Sequence, residues 1–428
     1  MTNKYNIQAW SAGANQSVFN GVLFVLPVFV LLWLPGVWVC YVVLLALYYS
    51  GSANGGYFAE LKAYQKNTQI RYIVYVFIGY FMFSIADVFF LKSPLKSIDN
   101  ACVFLLWLAI SPVIAILQPS SRALGYGCAA ATGLALVLAV VQFHFYHIER
   151  PYGTYGTGFP GSGAIKFGDI ALLIGIFAYL FLSGHKYHLG LIGLVSGFSV
   201  CLYAGARGGI LAAVICGIAW LCTGRQKKIA LKNIIIVLLA IGGLIFLLNN
   251  MMGNHIVHRV LHTKDEFDFF NRDNLNTSSG VRVQMWKAAL LIFKEHPILG
   301  VGLNNYDDAL LALYKKGLVS KLVIVFAHAH NEYVCALATG GVVGFFMTVC
   351  LLGIPANYFR RYCQQSVWAV AGFWGIGLMA GFALTDCIFD RRMTVVMFVL
   401  LVTICMAGCM GGNSLVTPAK GNRLRGAW

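Results

Sequence analysis

The residue types best suited to chemistry in this sequence are His330 and Asn331, at the start of an apolar segment that directly follows the longest polar stretch of the chain. A histidine at that position reaches water and lipid headgroups while a helix holds its backbone. The positive end of the helix disfavours the imidazolium ion and so favours a neutral ring that can accept a proton. Asn331 would either orient the ring or bind a ligand, and a purely structural histidine is the alternative.

Charged residues near the ends of the apolar segments form a second candidate group. A charge inside a bilayer is costly and tends to mark function. The segments carry few charges near their centres, and ionisable residues collect at or near one set of ends: Arg150, Lys166, Asp169, Arg207, Asp386, Asp390, Arg391 and Arg392. Snorkelling of arginine and lysine to the interface explains part of this pattern. The other interpretation is a basic cavity at the outer leaflet, suited to a phosphate-bearing lipid.

Arg207 and Arg282 are the arginines with the most specific surroundings. Arg207 lies between Ala206 and a pair of glycines, at a junction of two apolar segments that is too short for a real loop. Its guanidinium could bind a pyrophosphate through two parallel charge-assisted hydrogen bonds. Arg282 is one helical turn before Trp286, which would brace the arginine or stack on a sugar. A structural role is open for both arginines.

Three glycines follow His330 along its segment: Gly340, Gly341 and Gly344. Small residues allow a neighbouring helix to pack closely, which would hold the histidine rigidly. This spacing therefore predicts that the histidine sits on a fixed support.

Metal and nucleotide chemistry are less supported by the sequence. Two histidine groups have helical spacing, but no cysteine or paired carboxylate completes a zinc pattern beside them: His255, His258 and His262, and His144 with His147. The sequence also has no Gly-rich phosphate loop ending in Lys-Ser/Thr and no kinase signature. We therefore expect no metal site and no cofactor.

Apolar helices must position these residues. Of the 428 residues, 59% are hydrophobic and 11% are charged, which exceeds what the core of a soluble fold of this length needs. A bilayer core takes about 20 apolar residues per helix. We predict an all-α, polytopic membrane protein with about twelve transmembrane helices, at 18–34, 37–50, 70–91, 100–118, 123–146, 167–184, 188–205, 208–222, 231–249, 329–354, 366–385 and 393–412.

One long polar segment, residues 250–327, predicts a large helical loop. A first helix starts near Ser279 and ends before Pro297, and a second starts after Asn305. Their apolar stripes are Val281, Met285, Ala288 and Ile292 in the first helix and Tyr306, Leu310 and Leu313 in the second. Gly300 to Gly302 form a tight connection, and residues 147–166 form a shorter irregular loop.

The net charge of +16 does not indicate a nucleic-acid partner, because the basic residues concentrate in short loops on one side of the predicted helices. This positive-inside bias predicts that both termini are cytoplasmic and that residues 250–327 lie on the opposite side, which is the periplasm in a bacterium. The chain then divides into 1–249 with helices one to nine, 250–327 as the large periplasmic loop, and 328–428 with helices ten to twelve and a cytoplasmic tail.

Several motifs between residues 200 and 355 act together as a signature: Arg207 with its flanking glycines, Arg282 to Trp286, His296-Pro297-Ile298-Leu299-Gly300-Val301-Gly302, and His330-Asn331 followed by nine residues and Gly341-Val342-Val343-Gly344. This signature resembles the O-antigen ligase and polymerase superfamily, and the last element is its most specific part. The rest of the chain is similar only in topology, with twelve helices and one large periplasmic loop between the ninth and the tenth.

The resemblance implies transfer of a glycan from an undecaprenyl-pyrophosphate-linked donor to an acceptor at the periplasmic face of the bacterial inner membrane, without ATP and without a metal. In the ligases the acceptor is a sugar hydroxyl of lipid A-core, in lipopolysaccharide biosynthesis. His330 would be the base, and Arg207 and Arg282 would bind the pyrophosphate. One base without a protein nucleophile implies inversion. The other expected substrate-binding residues are Asn331, Trp286, Arg150 and Lys166.

Three other functions compete with that of a ligase. An O-antigen polymerase has the same donor and differs only in the acceptor. A small-solute transporter would be expected to place broken helices and polar groups near the membrane midplane, often in two related halves, whereas these polar groups collect at one face. A structural scaffold would leave the positions of Arg207 and His330 unexplained. The sequence favours the ligase, with membrane lipids as further partners.

Overall fold

The computed structural model describes residues 2–52, 68–154, 163–222, 278–363 and 366–411, with isolated residues 242, 246, 249 and 250. Within these ranges the regular elements are thirteen α-helices, which confirms the all-α prediction. They are α1 (Thr2–Leu32), α2 (Pro35–Ser52), α3 (Thr68–Phe90), α4 (Ser97–Leu117), α5 (Ser121–His144), α6 (Ala164–Leu182), α7 (Tyr187–Ala204), α8 (Arg207–Cys222), α9 (Ser278–Glu295), α10 (Tyr306–Lys315), α11 (Glu332–Tyr362), α12 (Val367–Phe382) and α13 (Arg392–Gly411).

The apolar helices confirm a multi-pass membrane protein. In the part of the chain that the structure describes, 8 helices are long and apolar enough to cross a membrane, and α2, α8 and α12 are shorter apolar helices. Eleven of the predicted segments therefore coincide with a helix. The twelfth, 231–249, falls almost wholly outside the described residues, as does the part of the predicted loop up to residue 277.

Two helices differ in length from the predicted segments. α1 begins at Thr2 instead of residue 18, because hydropathy marks only the apolar part of a helix. α11 begins at Glu332 and continues to Tyr362, beyond the predicted end at 354, with a kink at Gly341, whose φ of 60° and ψ of −155° are not helical. It passes through Pro355, which membrane helices tolerate when their surroundings satisfy the freed backbone groups.

The chain forms two compact units. The first comprises Met1–Ile210, Phe346–Phe382 and Ile388–Trp428. Within it, α5, α6 and α7 pack against one another, and α13 packs against α4 and α12. Gly197 of α7 lies so close to the backbone of Ala171 in α6 that a Cβ atom would overlap it, so the small residue allows this helix pair to approach.

The second unit comprises Leu211–Phe345 and Ala383–Cys387. Its core joins the apolar stripes of α9 and α10, as the sequence predicts: Met285, Ala288 and Ile292 are buried together with Tyr306, Leu310 and Leu313. Val281 is only partly buried against this core. Each large side chain buried there contributes about 1.5–3 kcal/mol of apolar transfer free energy. Ala338 of α11 is buried in the same core, so the core also supports the first part of α11.

Candidate active site

His330 lies two residues before the start of α11, in the second unit. Its φ angle is 48°, in the left-handed region that residues other than glycine rarely adopt. Such backbone conformations persist when the surroundings over-determine them, and they concentrate at functional sites. The neighbours of His330 in the chain provide that constraint.

Asn331 holds the start of α11 through its side-chain amide. Its Oδ1 accepts hydrogen bonds from the backbone N–H groups of Tyr333 at 3.0 Å and Val334 at 3.1 Å, which is the bonding of a helix N-cap. Its Nδ2 donates to the carbonyl of Leu384 at 3.1 Å. The amide is thus engaged on both sides, and of the two roles that the sequence allows, this geometry favours orienting His330 over binding a ligand.

Asp386 is the acidic partner of His330. The Nδ1 atom of His330 lies 3.3 Å from Oδ1 of Asp386, within ion-pair range, with side-chain exposures of 20% and 4%. Among the described residues, Nδ1 of His330 makes no aligned hydrogen bond, although this carboxylate oxygen is near it. Oδ1 of Asp386 also accepts from the backbone N–H of Cys387 at 2.9 Å, which fixes the carboxylate. A small rotation of the ring would let Nδ1–H donate to this carboxylate and leave Nε2 as the proton acceptor.

Residues 383–387, which include Asp386, are connected to α11 by hydrogen bonds. The backbone N–H of Glu332 donates to the carbonyl of Ala383 at 2.8 Å. A side-chain hydrogen bond with Cys335, together with burial, raises the pKa of the Cys387 thiol well above its ordinary value. Cys387 therefore stays neutral and adds no second negative charge beside Asp386.

His328 completes the polar group around His330. The rings of His328 and His330 are 4.4 Å apart and nearly perpendicular, and Phe326 meets His330 edge-on at 5.7 Å. One potential ligand atom from each of His328, His330 and Asp386 lies within 4.8 Å of the other two. Within the described parts of the chain, this group has the composition of a metal site, although the sequence predicts none.

Trp286 connects α9 to the histidine segment. Its indole N–H donates to the carbonyl of Ala329 at 3.0 Å, directly before His330. Arg282 lies one turn earlier on the same helix and is half-buried. The sequence suggests two roles for Trp286, bracing the arginine or stacking on a sugar, and the structure adds a third, which is to position the backbone of His330.

Gly341 packs against a loop, residues 296–302, which corrects the prediction of a neighbouring helix at this glycine. Gly341 has a φ angle of 60° inside α11, and a Cβ atom there would overlap the backbone of Ile298. Gly300, also at positive φ, would likewise overlap the backbone of Thr339. Only glycine combines this backbone conformation with this approach. The loop and α11 can come this close because each has a glycine at the contact, Gly300 in the loop and Gly341 in α11.

Backbone hydrogen bonds fix this contact along its length. Val301 donates to Ala338 at 3.1 Å, Gly302 donates to Thr339 at 2.9 Å, and Val342 donates to Pro297 at 2.9 Å. The tight connection predicted at Gly300 to Gly302 is therefore confirmed, and it supports the first turns of α11. The loop therefore fixes the beginning of the helix that follows His330.

Arg150, Lys166 and Arg207 lie in the first unit, around the junction of α7 and α8. α7 ends at Ala204 and α8 begins at Arg207, so the short junction is confirmed. The Nε–H group of Arg150 donates to the carbonyl of Ala204 at 3.2 Å. Lys166 lies in the first turn of α6, which corrects its predicted place in the preceding loop. That end of α6 packs on the junction, where Gly168 meets Ala204.

The electrostatic character of this junction comes from helix ends as well as side chains. The N-termini of α6 and α8 carry partial positive charge, and Arg207 is exposed at the start of α8. The buried carboxylate of Asp169 lies against Gly209 in the first turn of α8, where a Cβ atom would overlap it. An anion is favoured at such helix ends.

Sequence reasoning missed two members of the site. The sequence places Asp386 among the charges at segment ends without pairing it with His330, and it offers no motif that singles out His328. The histidine groups considered for metal binding lie elsewhere: His144 is 3.4 Å from the hydroxyl of Tyr203, and His255, His258 and His262 are outside the described residues.

Comparisons with known proteins match the central part of the chain to one family. Residues 192–349 match the family model described as O-antigen ligase, a stretch that contains Arg207, Arg282, Trp286, His330 and Asn331. An uncharacterized protein of Haemophilus influenzae is 25% identical, over 71% of this chain and 77% of the relative. The family match is consistent with the O-antigen ligase/polymerase superfamily.

Proposed function

Since residues 192–349 match the O-antigen ligase family, we propose that this multi-pass membrane protein is an O-antigen ligase, an inverting glycosyltransferase that moves O-antigen from undecaprenyl pyrophosphate to lipid A-core. The match supports an O-antigen ligase/polymerase-type membrane enzyme with lipid-linked glycan substrates. The proposal adds the donor, the acceptor and the location: the bacterial inner membrane, with the active site facing the periplasm and both termini in the cytoplasm.

The observation that carries this proposal is the pairing of His330 with Asp386, 3.3 Å apart at the start of α11. In a histidine and carboxylate pair, the carboxylate holds one tautomer of the ring and stabilises the imidazolium once it forms. The other ring nitrogen then serves as a general base, an effect worth about 10²–10⁴-fold in rate.

The proposed reaction is a single displacement. A sugar hydroxyl of lipid A-core loses its proton to His330 as its oxygen attacks the anomeric carbon of the donor glycan. The bond from that carbon to the pyrophosphate oxygen breaks, and its electron pair leaves with undecaprenyl pyrophosphate. Attack from the face opposite the leaving group inverts the configuration at the anomeric carbon.

Basic residues are assigned to the leaving group. Arg207 and Arg282 are proposed to bind pyrophosphate oxygens, because a guanidinium forms paired, charge-assisted hydrogen bonds with phosphate. Arg150 and Lys166, with the N-termini of α6 and α8, support the same role for the α7 to α8 junction. Arginine and lysine supply the positive charge that stabilises the pyrophosphate as it leaves, so the proposed reaction needs no metal ion and no cofactor.

Asn331 and Trp286 are proposed to hold His330 in place at the substrate site. Their hydrogen bonds to Leu384 and Ala329 support a role in positioning His330. Trp286 is half-buried, and its ring is assigned to contact with a sugar of the substrate.

A reconstituted reaction tests this proposal and separates the ligase from a polymerase. Purified wild-type protein is given undecaprenyl-pyrophosphate-linked O-antigen, with lipid A-core and a chelator, and the products are separated by gel. We expect glycan attached to lipid A-core from the wild type and from His188→Gln, an exposed histidine in the first unit, and at least about 100-fold less from His330→Gln. Longer glycans that stay on the undecaprenyl carrier would identify a polymerase, and no product from folded wild type would contradict both.

A further inference from the structure

We propose that His328, His330 and Asp386 form a binding site for a divalent zinc-type ion, and that occupation of this site switches off His330 as a base. Two imidazoles and a carboxylate are common ligands of Zn²⁺, and three protein ligands leave a position open for water. The three ligand atoms already lie within 4.8 Å of one another. The ion would be an inhibitor of the protein and not a part of the reaction.

The spacing of the ligands fits a small ion. Zinc bonds to nitrogen and oxygen are about 2.0–2.2 Å, which puts two ligand atoms of a tetrahedral site about 3.3 Å apart. The distance from Nδ1 of His330 to Oδ1 of Asp386 is 3.3 Å. A rotation of the His328 ring, which is 4.4 Å from the His330 ring between centroids, brings the third ligand closer.

Burial and alignment also favour a cation here. The Asp386 side chain is 4% exposed, and a buried carboxylate needs a positive partner. The Nδ1 atom of His330 is buried and, within the described residues, lacks an aligned hydrogen bond although a carboxylate faces it. An ion at this position would give Nδ1 of His330 a partner and would add a positive charge beside the carboxylate.

The supports of the ligands are already in place. The N–H of Cys387 holds the carboxylate, and Trp286 holds the peptide before His330. Such outer hydrogen bonds orient metal ligands and strengthen binding. Imidazole with carboxylate suits zinc, copper and nickel better than magnesium or calcium, which prefer oxygen ligands alone.

A metal ion bound in this site would prevent His330 from acting as a general base, as a count of the electron pairs on its ring shows. A neutral imidazole has one nitrogen with a lone pair and one that carries a proton. If the lone pair binds a metal ion, the proton must reside on the other nitrogen. His330 then has no electron pair left to accept a proton from a hydroxyl group, whichever of its nitrogens is the ligand.

Cobalt binding tests the site without reference to glycan transfer. Co²⁺ replaces Zn²⁺ and gives visible absorption bands in four- and five-coordinate sites with nitrogen ligands. We expect one Co²⁺ per wild-type chain, displaced by Zn²⁺, and a loss of affinity of at least about 100-fold in His328→Gln and in Asp386→Asn, because losing even an outer partner costs 10–100-fold. Matched controls are His188→Gln and Asp390→Asn, which change the same residue types elsewhere. Equal cobalt affinity in all five proteins would overturn the proposal.

Thermal unfolding guards against a variant that fails to fold. Zn²⁺ should raise the unfolding temperature of the wild type and of both controls, because a ligand that binds only the folded state stabilises it. It should leave that of folded His328→Gln unchanged. An equal rise in His328→Gln would overturn the proposed ligand set.

The inhibition rests on the proposed function, so it is measured separately. Transfer by the wild type should fall as Zn²⁺ is added and recover with chelator, and His328→Gln should keep its own zinc-free rate. Unchanged transfer by the wild type at zinc concentrations that fill the site would overturn the inhibitory role. If no transfer occurs at all, the cobalt and unfolding measurements still decide whether the site exists.

Discussion

Nδ1 of His330 lies 3.3 Å from Oδ1 of Asp386, although two helices, α11 and α12, separate the two residues in the sequence. The contact exists because residues 383–387 lie along the start of α11, where Ala383 and Leu384 accept hydrogen bonds from Glu332 and Asn331. Asp386 is therefore a positioning residue for the proposed base.

Asp386→Asn should lower the rate of glycan transfer by about 10²–10⁴-fold, because the amide can hold the wrong tautomer of His330 and cannot stabilise the imidazolium. The loss should fall on kcat and not on the KM for either substrate. Asp390→Asn is the matched control, since Asp390 pairs with the neighbouring Arg391 instead. Equal losses in both variants would argue against a specific role for Asp386.

Gly341→Ala should destabilise the protein by more than about 1 kcal/mol, because alanine is strained at positive φ and its Cβ would overlap the backbone of Ile298. Gly353→Ala on the same helix has no atom within 4 Å of the added Cβ. It should be neutral or stabilising by up to about 1 kcal/mol. Thermal unfolding in detergent measures both, and a stable Gly341→Ala protein would contradict the interlocked motifs.

Asn331→Ala should cost about 0.5–2 kcal/mol of stability through the lost N-cap. Asn331→Ser keeps a capping oxygen but is too short to reach Leu384, so it should recover most of the stability while transfer stays reduced. Comparison of unfolding temperature with kcat separates the two effects. Asn357→Ala, on the same helix but bonded to exposed Arg360, is the control. If the Asn331→Ser protein transferred glycan at the full rate, the bond to Leu384 would have no part in catalysis.

Trp286→Phe should weaken stability by about 0.5–1.5 kcal/mol, since the aromatic ring remains but the hydrogen bond to the carbonyl of Ala329 is lost. Transfer should slow as the backbone before His330 loosens. Trp33→Phe changes an exposed tryptophan and should do neither. The unfolding temperature and kcat are measured together, and a fully active Trp286→Phe protein would leave the indole N–H without the proposed role.

Local patterns predicted much of the fold. Apolar length indicated the membrane helices, and the spacing of Tyr306, Leu310 and Leu313 indicated the buried face of a loop helix, because both depend on neighbours in the sequence. The pairing of His330 with Asp386 depends on a contact between distant segments, which no spacing rule encodes. Gly341 could be recognised as a site of close packing, but neither its positive φ nor its loop partner follows from the presence of a small residue.

The central claim is that His330 accepts the proton of the attacking hydroxyl. It is tested most directly by the single-turnover rate of glycan transfer to lipid A-core, at saturating donor and acceptor, for the wild type, His330→Gln and His188→Gln. We predict a fall of about 10²–10⁴-fold for His330→Gln alone, with substrate binding retained. A folded His330→Gln protein that transfers glycan at the wild-type rate would contradict it.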